Sequence, residues 1–442
     1  MNKDQLLEEN EKLKEENENL KKENKRLKKE FEEFKAKHAV TVSNLKTALN
    51  IKADRKKKGA PLGAPKGHTG YSRHIPERVD IVNQVNPKRC PDCNTVLSGT
   101  QEMRERYVTD VALISRSVVT KYEIHRKYCT GCKKLVEGEV PNVLPHARFG
   151  LNLMLLVMYL KLGLRLPDNK IVEYFAMVHN EKISSGEVTN ILRQLAAAFG
   201  NYYIFLENLV KIARVKYSDT TSWRVNGKNY FAWVFISAGA VLYKIRKRNN
   251  HKVALAMFGK TQKGNVLVVD RHSAYRTLAE KLGFLLQLCW SHILQDSKDL
   301  AKNFGSEGKY VHKRLKEIFD SAKRLNHKGT PEMVDQLKAE IFQLTQRHYT
   351  HITIRRFVNN LYYRDAENLF RFVTDPEIDP TNNISERNLR QLVIIRKISN
   401  GSRSTRGANT TAQLLSVIQT LRTQKQNVLQ GLHQILQSPS RY

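Results

Sequence analysis

Residues 214–225 read RVKYSDTTSWRV, residues 229–246 read NYFAWVFISAGAVLYKIR, and residues 264–275 read GNVLVVDRHSAY. Their density of Val, Ile, Tyr, Phe and Trp marks them as strands. HKVALAMFG (251–259), between the second and third, reads as a short helix; SAYRTLAEKLG (273–283) is helix-like, FLLQLCW (284–290) strand-like, and a long helical stretch follows. The predicted order is therefore strand, strand, strand, helix, strand, helix, strand, helix. That is an α/β domain with the order of an RNase-H-like fold, placed at residues 211–400.

Three acids occupy telling positions in this order. Asp219 lies on the first strand, Asp270 closes VLVVD, and Glu386 opens a later helix, NISERNLRQLVIIR (383–396). Two adjacent strand ends and one helix can aim three carboxylates at one point. Hard oxygen ligands of this kind hold Mg²⁺ or Mn²⁺ and leave room in the shell for water and phosphate oxygens. Two such ions ~3.5–4 Å apart activate an attacking oxygen and stabilise a leaving one in an in-line phosphoryl displacement. Singly, each acid has a plainer account: Asp219 as a turn or strand-end residue beside Thr220 and Thr221, Asp270 as the cap of a helix near Ser273, Glu386 as a first-turn helix acid. Together, at these positions, they point to catalysis.

The bulk numbers suit a nucleic-acid partner. The 442 residues and 40% hydrophobic content suffice for several modules and at least one sizeable core. Lysine and arginine number 75 against 43 acids, a formal charge of +32 with pI near 9.9, which calls for a polyanion. The amino-terminal MNKDQLLEENEKLK has neither the apolar core nor the cleavage site of a secretory signal. The longest apolar run, Phe149 to Leu160, is broken by Lys161 and falls short of the ~20 residues of a membrane-spanning helix. A soluble cytoplasmic protein without a membrane partner is expected. In that reducing compartment the cysteines argue for metal rather than disulfides.

Ahead of the strand-rich region the chain reads as a series of modules. In residues 1–50, Leu6, Leu13, Leu20, Leu27 and Phe34 recur every seven residues as the d positions of a coiled coil, with Asn10, Asn17, Asn24 and Phe31 at a. Asparagines at a favour a parallel, in-register homodimer; a single solvated charged helix is the alternative. Residues 51–80 are a basic Gly/Pro linker in which Lys56, Lys57 and Lys58 can lie along phosphates, or serve only as a tether. Residues 81–145 hold Cys90 and Cys93 in CPDC and Cys129 and Cys132 in CTGC, two thiolate pairs suited to one tetrahedral Zn²⁺ in a zinc ribbon, with His125 as a competing ligand or a strand residue.

Residues 146–210 read as helical, with the outline of a helix-turn-helix or an ordinary helical hairpin. Ser184 or Ser185 can cap a second helix that exposes Glu187, Thr189, Asn190 and Arg193. At the other end, Arg387, Arg390, Arg396, Lys397, Arg403 and Arg406 form a basic track running into a C-terminal helical segment, 401–442. Arg193 and this track are candidate DNA contacts, with a solvated helix face as the track's alternative. His292 in CWSH falls beyond a core strand, where it either contacts a phosphate or a ligand carboxylate or is structural; Cys289 reads as a small buried apolar residue.

YSDTTSW (217–223), VVDRHSAY (268–275), CWSH (289–292) and TNNISERNLRQLVIIRKISNGSRSTRGA (381–408) follow a zipper, a GAPKGHTG linker and a double-CxxC segment. The set resembles the DDE transposases of the prokaryotic insertion-sequence sixty-six family, from the linker to about Leu436. Its most specific part is NN-x-x-ER-x-x-R with RK-x-S-x-GSRS. The resemblance implies that Asp219, Asp270 and Glu386 are the catalytic triad and that a helical insertion at about 296–375 separates the last two. It further implies divalent-metal-dependent cleavage and strand transfer at the element's own ends. Double-stranded DNA is then the partner, as terminal repeats and target, together with any accessory element-encoded proteins. Two departures are visible: ILQDSKDL after CWSH, where a more basic continuation is expected, and Asn382-Asn383, where Asp-Asn often stands. Two other readings stay open: a non-catalytic DNA-binding protein derived from a transposase, and an RNase-H-like nuclease that cuts DNA without joining it.

Overall fold

The computed structural model describes residues 17–27, 30, 82, 94, 96, 115–131, 134–137, 140–145, 147–259 and 261–437. The chain divides into two compact units, residues 1–39 with 116–442, and residues 40–115. Most of the zipper, Lys56, Lys57 and Lys58 of the linker, and Cys90, Cys93 and Cys132 lie outside the described residues. Residues 17–27 are helical, and Leu20 and Leu27, two of the d positions, are about half exposed on that helix. The CTGC motif sits at a hairpin: β1 (Arg126–Cys129) pairs antiparallel with β2 (Lys134–Glu137). This strand pair straddles the second CxxC.

One five-stranded sheet organises the rest. Its strands are β3 (Val215–Val225), β4 (Lys228–Ser237), β5 (Ala240–Arg246), β6 (Val266–Val269) and β7 (Leu285–Leu288), in the order β5-β4-β3-β6-β7. β3, β4 and β5 form an antiparallel meander, and β6 and β7 run parallel to β3. Asn226 and Gly227, both at positive φ (46° and 72°), make the two-residue β3–β4 turn; an Asn-Gly pair tolerates that conformation and matches the strand twist. The parallel connections carry helices: α5 (His251–Phe258) leads into β6, and α6 (Ser273–Leu282) joins β6 to β7. All four residues of β6 are buried, as expected of an interior parallel strand covered on both faces.

Helices close the sheet's exposed sides. α1 (Leu151–Met158) continues into a π-helical turn, Tyr159–Gly163, and is followed by α2 (Asp168–His179), α3 (Ser185–Ala198) and α4 (Gly200–Ile212). The apolar run at 149–160 therefore belongs to the core, and among the described residues no helix is long and apolar enough to cross a membrane. After β7 come α7 (Trp290–Asn303), α8 (Gly305–Arg324), α9 (Pro331–Thr345) and α10 (Ile352–Tyr363). The chain then returns to α11 (Asn383–Ser399), α12 (Thr405–Thr423) and α13 (Val428–Gln437).

α12 has a specific task. β5 is an edge strand, and its outward N–H groups at Val241 and Tyr243 donate to Thr420 Oγ1 (3.0 Å) and Ser416 Oγ (2.8 Å) of α12. Two hydroxyls on an otherwise apolar face thus satisfy the edge and seal it against further strand pairing.

Candidate active site

Strand register brings the first two acids together. Tyr217 of β3 is opposite Val268 of β6, the last pairing between these parallel strands. Asp219 and Asp270 each lie two residues further on. Side chains alternate along a strand, so both fall on the same face of neighbouring strands ~4.8 Å apart. The ladder stops there, which opens a crevice at the carboxyl ends of the parallel strands, where ligands of open α/β sheets bind. Asp219 is therefore a mid-strand residue rather than a turn, half-buried, with Oδ1 accepting its neighbour Thr220's N–H (2.7 Å). Nor is Asp270 the cap of α6: His272 Nδ1 fills that role at Ala274 N (3.2 Å), and Asp270 Oδ1 accepts the His272 N–H (3.1 Å).

The third acid arrives on α11, whose start is fixed by a fully buried asparagine. Asn382 Nδ2 donates to Ser218 O on β3 (2.9 Å), and its backbone N–H donates to Cys289 Sγ, just past β7 (3.1 Å). One residue thus ties the helix to β3 and to the chain just past β7, the strands on either side of β6. Glu386 sits in the first turn beyond it, partly exposed, and its Oε1 lies 3.7 Å from His292 Nε2 on α7. The sequence marks Asn382 only as a departure from an expected Asp; the structure shows it seating Glu386.

Asp219 feels both of the other acids. Asp219 is pushed up to about 7, chiefly by burial, with Asp270 and Glu386 adding repulsion, and the Thr220 N–H and His292 opposing. His292 is pushed up to about 9 by the Cys289 sulfur as hydrogen-bond partner and by the Glu386 and Asp270 charges, against its own desolvation. One imidazolium therefore faces three acids. A cluster so short of positive charge, built from carboxylate oxygens, fits a hard divalent cation.

Directly behind Asp270 lies a second charged node with the opposite balance. Asp365, fully buried after α10, accepts hydrogen bonds from Arg271 Nε (3.0 Å) and Arg364 Nε (3.2 Å) and forms an ion pair with Arg276 (2.5 Å). Arg271 also reaches Asp296 of α7 (3.5 Å) and lies over the Phe357 ring of α10 (5.3 Å). The loop carrying Asp270 is thereby fastened to the helices between β7 and α11. Sequence reading missed Asp365, Arg271 and Arg276, because no local pattern joins position 365 to 271.

The basic residues distribute unevenly. Arg396 is bound to Ser222 of β3 through the serine's carbonyl and hydroxyl oxygens. Arg387, Arg390, Lys397, Arg403 and Arg406 are exposed, with no acid paired to them among the described residues. The GSRS segment runs along the far end of β3, with Ser402 N donating to Arg224 O (2.9 Å). Gly401 (φ 107°) is required there, since a Cβ would come within 2.3 Å of Arg224 O.

Arg193 of α3 and Arg406 of α12 come together across one open groove of about 560 Å³ with Asn409, Thr410 and Gln413. Asn409 is held in place by Arg246, whose Nη1 donates to Asn409 Oδ1 (3.2 Å). Ser184 caps α3 in a reciprocal box with Glu187, whose carboxylate is thereby occupied rather than presented outward; Thr189, Asn190 and Arg193 are the exposed set. His125 is exposed just ahead of β1.

The chain matches, over residues 146–410, the family model described as Transposase IS66 family. That span runs from the helices before the sheet to the first turns of α12 and contains all three acids. The uncharacterized protein y4qI of Sinorhizobium fredii (strain NBRC 101917 / NGR234) is 24% identical over 440 residues, covering 89% of this chain and 78% of that protein.

Proposed function

This chain belongs to the IS66 family of transposases, and we propose that it works there as a DDE enzyme with an RNase-H-like catalytic domain, cutting and joining DNA at the ends of its own insertion sequence. The observation that carries the reading is the register that sets Asp219 beside Asp270 at the crevice, with Glu386 on α11 facing the same electrostatic cluster. The sheet order supports the fold assignment: an antiparallel meander with two parallel strands added beside its first strand.

Mg²⁺ or Mn²⁺, when held by the three acids, supplies activation of the attacking oxygen and stabilisation of the leaving one. The chain's own contributions are positional. β3 and β6 hold two carboxylates side by side, and Asn382 sets the helix that brings the third. His292 places a cation beside Glu386 that can meet a phosphate oxygen. The helices between β7 and α11 act as the insertion, fastened to the Asp270 loop through Asp365. The exposed arginines from 387 to 406, with Arg193 and the linker lysines 56–58, track the DNA backbone.

In the same reading Cys90, Cys93, Cys129 and Cys132 hold a structural Zn²⁺, and the heptads of residues 1–50 pair two chains so that two DNA ends meet. The deciding experiment supplies the purified chain with duplexes bearing the inverted repeats that flank its gene. Mg²⁺-dependent nicking at the repeat boundary and transfer of the new 3′ end to a second duplex are expected. Nicking without transfer would leave a nuclease, and binding without nicking a DNA-binding derivative.

A further inference from the structure

The CWSH stretch brings a thiol and an imidazole to a carboxylate already claimed by the hard-ion cluster. Cys289 is the N-cap of α7 and His292 lies in its first turn. The ligand atoms of Cys289, His292 and Glu386 all lie within 4.8 Å of one another, and the imidazole-to-carboxylate distance is 3.7 Å. Zinc holding sulfur at ~2.3 Å and nitrogen and oxygen at ~2.0–2.2 Å in a tetrahedron needs ligand separations of roughly 3.3–3.6 Å, so adjustments of about an ångström close the set.

Two further features suit a metal. The Cys289 sulfur is buried and already accepts the Asn382 N–H, the kind of outer hydrogen bond that orients a metal ligand. The hydrogen bond of the His292 ring runs to the Cys289 sulfur, itself a member of the set, and its buried Nδ1 meets no group outside the set. The donor set differs in kind from the neighbouring one: sulfur, nitrogen and one oxygen select a thiophilic ion, whereas three carboxylates select Mg²⁺.

We propose that Cys289, His292 and Glu386 form a second cation site that takes Zn²⁺, and that because Glu386 serves both sites, zinc here and the catalytic ions exclude one another. Loading displaces the Cys289 thiol proton and the His292 imidazolium proton to solvent, so that thiolate and neutral imidazole become ligands, and turns Glu386 toward sulfur. Excess zinc then silences the enzyme by removing one of its carboxylates. The exclusion rests on the transposase reading; the existence of the site does not.

Zinc uptake is measured on the full chain, as purified with its own zinc, against a chromophoric chelator, for the unaltered protein and for Cys289→Ser. The unaltered chain should bind one equivalent more. With Co²⁺ it should show a stronger thiolate-to-metal charge-transfer band. Cys289→Ala, which keeps a small apolar volume, makes the same comparison should serine prevent folding. Equal uptake and equal spectra overturn the site. In Mg²⁺ cleavage assays, with each protein normalised to its own rate without added zinc, Cys289→Ser should need at least about tenfold more zinc for half-inhibition. Equal inhibition of both overturns the exclusion. Absence of cleavage in any metal, with the uptake difference intact, would sink the transposase reading and not the cation site.

Discussion

Asp270 and Arg271 are neighbours in sequence and belong to opposite kinds of site. On one side, Asp270 joins Asp219 and Glu386 in a crevice where acids face acids and a single imidazolium offsets them. On the other, Arg271 joins Arg276 and Arg364 around Asp365, a buried carboxylate whose charge is fully answered. A buried charge is tolerated only when paired or hydrogen-bonded. The Asp365 node meets that requirement from within the chain and so is architecture. The crevice leaves it to something from outside, and that is the mark of a binding or catalytic site.

The hardest test of this contrast is to neutralise each side in turn. Asp219→Asn, Asp270→Asn and Glu386→Gln should each lower Mg²⁺-dependent cleavage on the order of a thousandfold or more, because several kcal/mol of transition-state stabilisation are withdrawn. The protein should stay folded. Asp219→Asn should melt a few degrees higher than the unaltered protein in the absence of metal at pH 8, since a buried, repelled charge has gone. Near-normal cleavage in any one of the three would remove that residue from the site.

Asp365→Asn should do the reverse. Removing one partner of a buried ionic cluster leaves the arginines uncompensated and costs about 3–5 kcal/mol of stability, read by denaturant melts. Cleavage per folded molecule should fall less than in the triad variants, with the loss appearing as a higher Mg²⁺ requirement as the Asp270 loop loosens. A variant as stable as the parent would show that the node is not structural.

Much of this contrast was legible in the sequence, and the missing half has a physical reason. Asp219, Asp270 and Glu386 announce themselves because each sits at a place defined by its own strand or helix. The succession of strands and helices along the chain follows from local composition in the same way, whereas the order of strands within the sheet does not. Asp365 does not, because its partners lie at 271, 276 and 364 and only the folded chain collects them. Asn382 was visible as an oddity without a role, its hydrogen bonds reaching Ser218 and Cys289. The hydroxyls Ser416 and Thr420 gave no sign of an edge strand waiting for donors and acceptors.

Titration sharpens the contrast further. In the folded, metal-free chain Asp219 keeps its proton up to about pH 7, whereas the unfolded chain releases it near the ordinary value of 3.8. Between those values the unfolded state binds fewer protons, so stability should fall as pH rises from about 4 to 7 and level off above. Asp270, Glu386, Tyr275 and His292 face this carboxyl, and Asp219→Asn should flatten the slope. Metal binding runs the other way. The carboxylate must be ionised to hold an ion, so apparent Mg²⁺ affinity should weaken by up to about tenfold per pH unit below 7. A Mg²⁺ affinity constant between pH 6 and 8 would remove Asp219 from the ligand set.

The smallest expected effect concerns the third kind of charge in the molecule, cations without acids. Arg193 and Arg406 come from elements far apart in sequence and line one groove in which no acidic side chain takes part. By the logic that separates the crevice from the Asp365 node, an unanswered cation pair calls for an external anion, and in a transposase that anion is a DNA phosphate. Each arginine contacting one phosphate releases about one counterion, so replacing either by alanine should lower the slope of log affinity against log salt by roughly one. The loss should be about the same on repeat and unrelated duplexes, because phosphate contacts carry no sequence information. Cleavage per bound complex should be unchanged. A slope that does not move in Arg193→Ala, Arg406→Ala or their combination would make the groove a solvated surface and leave DNA tracking to the arginines nearer Glu386.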